Sequence, residues 1–298
     1  MDLHIVGIRY RGGNPAPGDS RAVGAYRASG VFEELSAGGS LVIREPRFPE
    51  ERRGDDPIGN LGLLGGAIAE AVAEGAQAGR PVVVVGGDCS HLPGVLGGLQ
   101  DAHGPTARIG LVWFDAHGDF NTPRTTLSGM LGGMPVAVSA GLCHPTWREG
   151  AHQFVPLPTD RIVMVDVRNL DPDEERLIRA TDVAIARVAE GYAGDLELRE
   201  AVGRLAARCD LLYLHIDSDV LDAALTPNHG TKEPGGPDVA RTLDAVGAVL
   251  DTGKVVAFGL VSVNPEGDGG DVSRDSALAL LRGSLERWRA ARASPGAA

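Results

Sequence analysis

The sequence predicts an α/β fold in three layers, with a mostly parallel sheet covered by helices on both faces. Three observations point there. Eight short runs rich in Val, Ile and Leu recur along the 298 residues. Stretches with apolar residues three and four apart lie between most of them, the spacing of one helix face. The runs are also apolar nearly throughout, where a half-exposed strand would alternate, and near-continuous apolar strands belong to parallel sheets buried on both sides.

In chain order, LHIVGI (3–8) and LVI (41–43) read as strands, followed by a helical stretch over 60–77 and the strand PVVVVGG (81–87). A helix over 95–102 leads to IGLVWFDAH (109–117), and RIVMVDV (161–167) follows. Asp171-Pro172-Asp173-Glu174 then carries a cap, a proline at the first helical position and a glutamate at the third, so a helix is expected over 172–180. VAIA (183–186), a helix over 196–208, LLYLHID (211–217), a helix over 237–250, KVVAFGLVSV (254–263) and a helix over 273–292 complete the alternation. No linker or repeat divides the chain, so residues 1–288 read as one domain and 289–298 (RAARASPGAA) as a disordered tail.

The 28 basic and 40 acidic side chains leave a net charge of −12, which argues against a phosphate-tracking nucleic-acid surface, since that affinity comes from Lys and Arg. The expected partner is a small molecule. No run reaches 18 apolar residues and the N-terminus carries Asp2 with no long apolar stretch, so neither a membrane span nor a signal peptide is expected. Three unpaired-looking cysteines, Cys89, Cys143 and Cys209, fit a reduced, cytoplasmic compartment.

In such sheets ligands bind beyond the carboxyl ends of the strands. Two runs end there in ligand-type residues. Asp115, His117 and Asp119 stand at i, i+2 and i+4, one face of an extended chain; Asp217 and Asp219 repeat the spacing after LLYLHI. Asp is depleted in strands, and buried carboxylates are costly unless paired or metal-bound. Either cluster alone also reads as cap and turn chemistry. Together, four carboxylates and an imidazole call for one or two divalent cations, and hard oxygen with imidazole suits manganese. Two cations sharing carboxylates would hold a water, lower its pKa and supply hydroxide for attack on planar carbon or phosphorus, so metal-assisted hydrolysis is expected.

VVVVGGDCSH, LVWFDAHGDFNTPRTTLSG and HIDSDVLDAALTPNHGT resemble the three metal-site blocks of the arginase and agmatinase (ureohydrolase) family, in that family's order, and the resemblance runs from Leu3 to about Leu281. It implies an eight-stranded arginase-like sheet, two Mn2+ ions, hydrolysis of a guanidino group to urea and an amine, and a homo-oligomer, a trimer or hexamer. By position it implies that Asp115 and Asp217 bridge the ions, that His117 and Asp219 complete one site, and that Asp119 and Cys89 serve the other. Asp119 and Asp217 take the catalytic roles. Asn121, Thr126, Ser128 and Asp171 stand at the amino-acid end of the substrate, and Thr231 near its guanidino group.

The resemblance breaks at several of these positions. Cys89 stands where the family has a histidine ligand; a soft thiol makes that ion weak or altered, with His91 a substitute donor or a plain helix-start histidine. Met130, Gly132 and Ser262 replace an asparagine, a proton-shuttling histidine and the glutamate that pairs with guanidinium. Without that carboxylate a less basic head, Nω-hydroxyguanidino or formimino, fits better than unmodified arginine. Cys89 and the LGGM segment are similar to a family variant that hydrolyses Nω-hydroxy-arginine. His215 reads either as a supporting residue beside the metal site or as packed core. Two other readings stay open: a hydrolase of another amidine, and a catalytically degenerate metal-binding homologue.

Overall fold

The computed structural model describes residues 1–16, 19–188 and 194–293. β1 (Leu3–Ile8) leads into the short hairpin β2 (Tyr10–Arg11) and β3 (Asn14–Pro15), then α1 (Asp19–Ala28), α2 (Val31–Leu35), β4 (Leu41–Arg44), α3 (Pro57–Gln77), β5 (Val82–Gly86) and α4 (Leu92–His103). β6 (Ile109–Phe114), α5 (Pro135–Ser139), α6 (Pro145–Gly150), β7 (Ile162–Val165), α7 (Pro172–Arg179) and β8 (Ala184–Ala186) follow. The chain closes with α8 (Gly194–Arg208), β9 (Leu211–Asp217), α9 (Val239–Leu250), β10 (Val255–Val261) and α10 (Gly270–Ala293).

All eight expected strands enter one sheet in the order β4-β1-β5-β10-β9-β6-β7-β8, and every pair in it is parallel. Alternation along each strand divides the core in two. Val83 and Val85 of β5 pack with Leu212, Leu214 and Phe258 beneath α8, α9 and α10; Val82 and Val84 face α3 and α4 with Trp113 and Tyr213. That is the three-layer arrangement the apolar runs required. No helix among the described residues is long and apolar enough to cross a membrane.

Four helices and the hairpin lie outside the sequence expectation. α2 and α5 are five residues each and α6 six, too short for a 3.6-residue period to show. The expected tail is also corrected in part: α10 continues through residues 289–293, and residues 294–298 lie outside the described residues. Trp288 and Leu285 of that helix are buried, which holds its last turns on the sheet.

The layer over β5 depends on close backbone approach. α3 starts with Asp56 accepting from the Ile58 and Gly59 amides, both at 3.0 Å, and Pro57 at the first helical position. It then crosses α4 through glycines: a Cβ on Gly94 would meet the Gly65 carbonyl oxygen at 2.7 Å, and one on Gly98 the Ala69 carbonyl oxygen at 2.5 Å. Both obstacles are backbone, which cannot rotate away. Gly98→Ala is therefore expected to lower unfolding free energy by about 1–3 kcal/mol, the range for overpacked cores, in urea titration. A variant as stable as the parent would show that the two helices separate freely.

Candidate metal centre

The central strands β5, β10, β9 and β6 end side by side, and their carboxyl ends bring Cys89, Ser262, Asp217 with Asp219, and Asp115 to Asp119 around one cavity of about 460 Å³. The strands deliver the residues differently from the extended spacing expected. β6 ends at Phe114, where its pairing with β9 also ends, and Asp115 to Asp119 form a loop in which Asp119 takes a left-handed φ of 45°. Asp is one of the few residues that tolerate that region. Asp217 closes β9, and Asp219 sits in a single 3-10 turn, Ser218–Val220. The convergence of the expected ligands is thus made by turns and not by a shared strand face.

Asp115, Asp119, Asp217 and Asp219 are 1–7% exposed. Their oxygens accept from backbone amides: His117 N to Asp115 at 2.7 Å, Asp219 N to Asp217 at 2.9 Å, and Ala116 N to Asp219 at 3.2 Å. His117 Nδ1 lies 3.3 Å from Asp115 and 3.2 Å from Asp219. Cys89 Sγ lies 3.1 Å from Asp217 and 3.4 Å from Asp115, and groups with Asp115 and Asp119 as a possible cation cage.

The crowding sets how these groups titrate. Burial, then the neighbouring Asp219 and Asp217, push Asp115 well above the usual carboxylate range; burial and Asp115 do the same to Asp119. Burial alone would lower His117, but Asp115 and Asp219 carry it up to about 12. Burial also raises Asp217, yet His229, the Asp219 amide and Ser262 outweigh it and hold this carboxyl low. Burial and the three nearest aspartates push the Cys89 thiol up. The donor set fits divalent cations: buried oxygens and imidazoles compete for protons in a space that positive charge would relieve.

His215 proves to be a supporting residue. Its Nε2 lies 3.4 Å from Cys89 Sγ, its Nδ1 2.9 Å from the Tyr213 hydroxyl, and its ring stacks on Trp113 at 3.9 Å. Burial drives it down to about 3, so it is neutral. His91 is corrected as a substitute ligand: Nδ1 accepts from the Asp88 amide at 3.2 Å and Nε2 sits 3.2 Å from the Gly12 carbonyl, which fixes it as a turn-capping residue. Asn121 and Asp171 meet at the cavity wall, Asn121 Nδ2 donating to Asp171 at 3.1 Å. Asp171 also begins α7, its amide donating to Glu174, so cap and cavity wall coexist in one residue. Ser128, Met130 and Gly132 line the mouth, and Thr231 Oγ1 donates to Asp219 at 3.1 Å. Thr126 is not among the cavity-lining residues; its hydroxyl accepts from the Gly129 amide at 3.0 Å.

Two residues escaped the sequence reading. Arg168, after β7, donates to the carbonyls of Asp219, Val220, Leu221, Glu233 and Pro234 and pins the loop that follows β9. His229 lies on that loop, 3.4 Å from Asp217 and 3.6 Å from Asp219. Its only sequence signal is an imidazole inside TPNHGT, ten residues past Asp219.

A model of the Arginase family matches residues 2–285. An arginase of Bacillus caldovelox is 30% identical over 298 residues, 95% of this chain and 97% of its own. Its native structure at pH 5.6 is similar with a TM-score of 0.82 at 28% identity, covering 95% and 97% of the two chains. The formimidoylglutamase of Bacillus subtilis superimposes with a TM-score of 0.74 at 16% identity over 99% of this chain and 88% of its own, a likeness of fold.

Without a cation, Asp115, Asp119 and His117 hold protons in the folded chain that the unfolded chain gives up at lower pH. Stability from a raised group is complete below its unfolded value and is lost as pH climbs through the folded one. For His117 that window runs from 6.5 to about 12, and for the carboxylates from 3.8 upward. The melting temperature of chelator-treated protein is expected to fall between about pH 6 and about pH 9, and saturating divalent cation to flatten that fall. A metal-free melting temperature that rises across the interval would contradict the assignment.

Proposed function

This chain belongs to the arginase family, and from that premise we propose that it is a binuclear manganese hydrolase acting on the guanidino or guanidino-like carbon of a small amino-acid-derived substrate. The observation that carries the reading is the set of four buried carboxylates with His117 in one cavity at the carboxyl ends of β9 and β6. Cys89, Asp115, Asp119 and Asp217 would hold one ion, and Asp115, His117, Asp217 and Asp219 the other. When bound, the ions supply Lewis-acid charge and a water acidic enough to attack trigonal carbon at neutral pH.

The chain's own residues do the rest. Asp217, fixed by the Asp219 amide, orients the attacking oxygen's surroundings, and Thr231 holds Asp219. Asp119 takes the proton given up by the attacking water and returns it to the departing amine nitrogen, after which urea, a substituted urea or, from a formimino head, formamide is free to leave. Asp171 and Asn121, with Ser128 at the mouth, are placed for the amino and carboxylate groups of the substrate.

Ser262 decides the head group. It follows β10 at a φ of 61°, lines the cavity and stands beside Asp217, offering a hydroxyl where guanidinium would need a carboxylate. A charge-assisted bidentate contact is lost there, which disfavours arginine itself. Nω-hydroxyguanidino and formimino heads are less basic and lose less. The assembly is read as a trimer or hexamer from family resemblance, and the compartment as the cytoplasm from the free cysteines Cys89, Cys143 and Cys209.

Manganese-loaded protein offered arginine, Nω-hydroxy-arginine, agmatine, guanidinobutyrate and formimino-glutamate is expected to turn over one of the two less basic substrates at least tenfold faster than arginine. Release of phosphate from a generic ester without urea or ammonia release would replace this reading with a phosphoesterase. Cys89→His is expected to tighten one of the two Mn(II) sites by at least tenfold in calorimetry, since a neutral imidazole ligates without losing a thiol proton. Unchanged affinity at both sites would remove position 89 from the ligand set.

A further inference from the structure

Building on the metal-dependent reading, we propose that His229 is itself a metal ligand, joining Asp217 and Asp219 at the β9 side of the centre. The family resemblance assigns no donor at this position. His229, Asp217 and Asp219 offer ligand atoms within 4.8 Å of one another, all three buried. Nε2 of His229 lies 3.4 Å from Asp217 Oδ1, yet it makes no hydrogen bond there and has no other partner. The side chain is 7% exposed. A buried ring nitrogen without a partner is costly, and buried polar atoms in native folds are satisfied by protein, water or an ion. Two ligand atoms each about 2.1 Å from a shared ion lie roughly 3 to 4 Å apart, so the observed separation is that of neighbouring donors.

The rest of the ring is held for that purpose. Nδ1 accepts from the Thr231 amide at 3.2 Å, and the Thr231 hydroxyl lies 3.3 Å away while donating to Asp219. In the cation-free ring this amide places the proton on Nε2. Ligation through Nε2 moves it to Nδ1, where Thr231 Oγ1 and, at 3.6 Å, Asp219 Oδ2 are the acceptors. Such outer contacts fix the tautomer of ligating imidazoles. Asp219 Oδ2 also lies 3.2 Å from His117 Nδ1, so it stands between two imidazoles. One cation site then has two nitrogen donors, whereas the other has the Cys89 thiol. The nitrogen-rich site takes a first-row divalent ion and binds it more tightly.

The test is Mn(II) binding to the metal-free full-length chain, followed by calorimetry and by pulsed EPR. Wild type is expected to bind one ion tightly and one weakly, with modulation from two imidazole nitrogens on the tight ion. His229→Gln keeps a neutral polar side chain at this position but not the imidazole; it should weaken the tight site at least tenfold and remove one nitrogen coupling. His229→Asp should restore most of the affinity. Affinity in His229→Gln within twofold of wild type, with both nitrogen couplings unchanged, overturns the proposal and leaves the metal-dependent reading standing. Wild type that binds no Mn(II) overturns both. If His229→Gln does not fold by circular dichroism, the number of imidazole couplings on wild type decides: two supports the proposal and one overturns it.

Discussion

Mutual repulsion among four buried carboxylates is the constraint on which the rest of this structure depends. Two unit charges 4 Å apart interact by about 4 kcal/mol at an effective dielectric of 20, and Asp115, Asp119, Asp217 and Asp219 crowd one cavity wall. Such a cluster can be held together only by a scaffold that does not yield. The four strands at the centre of the sheet provide it, with fully buried residues such as Val85, Phe114, Ile216 and Leu260 ending immediately before the polar turns. Backbone amides of Ala116, His117 and Asp219 then fix individual oxygens, and Arg168 clamps the loop after β9 through its carbonyls. Apolar burial stabilises the platform; the platform enforces a charge distribution that the chain alone would disperse.

The fold was legible because double cover leaves a plain mark on sequence. A strand buried on both faces has no polar alternate, so VVVVG and IGLVWF stand out wherever they fall. What stayed hidden were elements set by tertiary contact, such as α2, whose five residues begin after Gly30 in a left-handed conformation, and the two-residue strands of the hairpin. The aspartates were legible by type and spacing, but the reason offered for their convergence was wrong in detail. Extension ends at Phe114, and a positive φ at Asp119 turns that carboxylate back toward Asp115. His229 was illegible for the opposite reason: TPNHGT has the composition of any turn, and only the packed loop reveals that its imidazole is buried.

Two of the departures from the family pattern sit directly at strand ends. Cys89 follows β5 and Ser262 follows β10, two neighbouring strands. Asp115, His117, Asp119, Asp217 and Asp219 follow β6 and β9, also neighbours, and there the expected residues are present. At the strand ends themselves the site is thus divided into an altered half and a retained half, while Met130 and Gly132 depart further along the loop after β6, at the cavity mouth. On the altered half a thiol and a hydroxyl replace an imidazole and a carboxylate, which lowers both the charge and the number of hard donors.

That division has a chemical consequence. The residues after β5 and β10 change the type of group facing the cavity, while the carboxylates after β6 and β9 keep their type and their burial. An arginase and a formimidoylglutamase share this platform as a likeness of fold. His215 is where the halves meet: it lies on β9, yet its Nε2 faces Cys89 at the end of β5 and its Nδ1 meets Tyr213. Its neutral ring, stacked on Trp113, fills the space between a thiol and a strand that otherwise presents only carboxylates. A charged residue there would add to the repulsion or neutralise it without a metal. An uncharged imidazole does neither, and so leaves His117, 3.2 Å from Asp219, as a ring that answers the carboxylates.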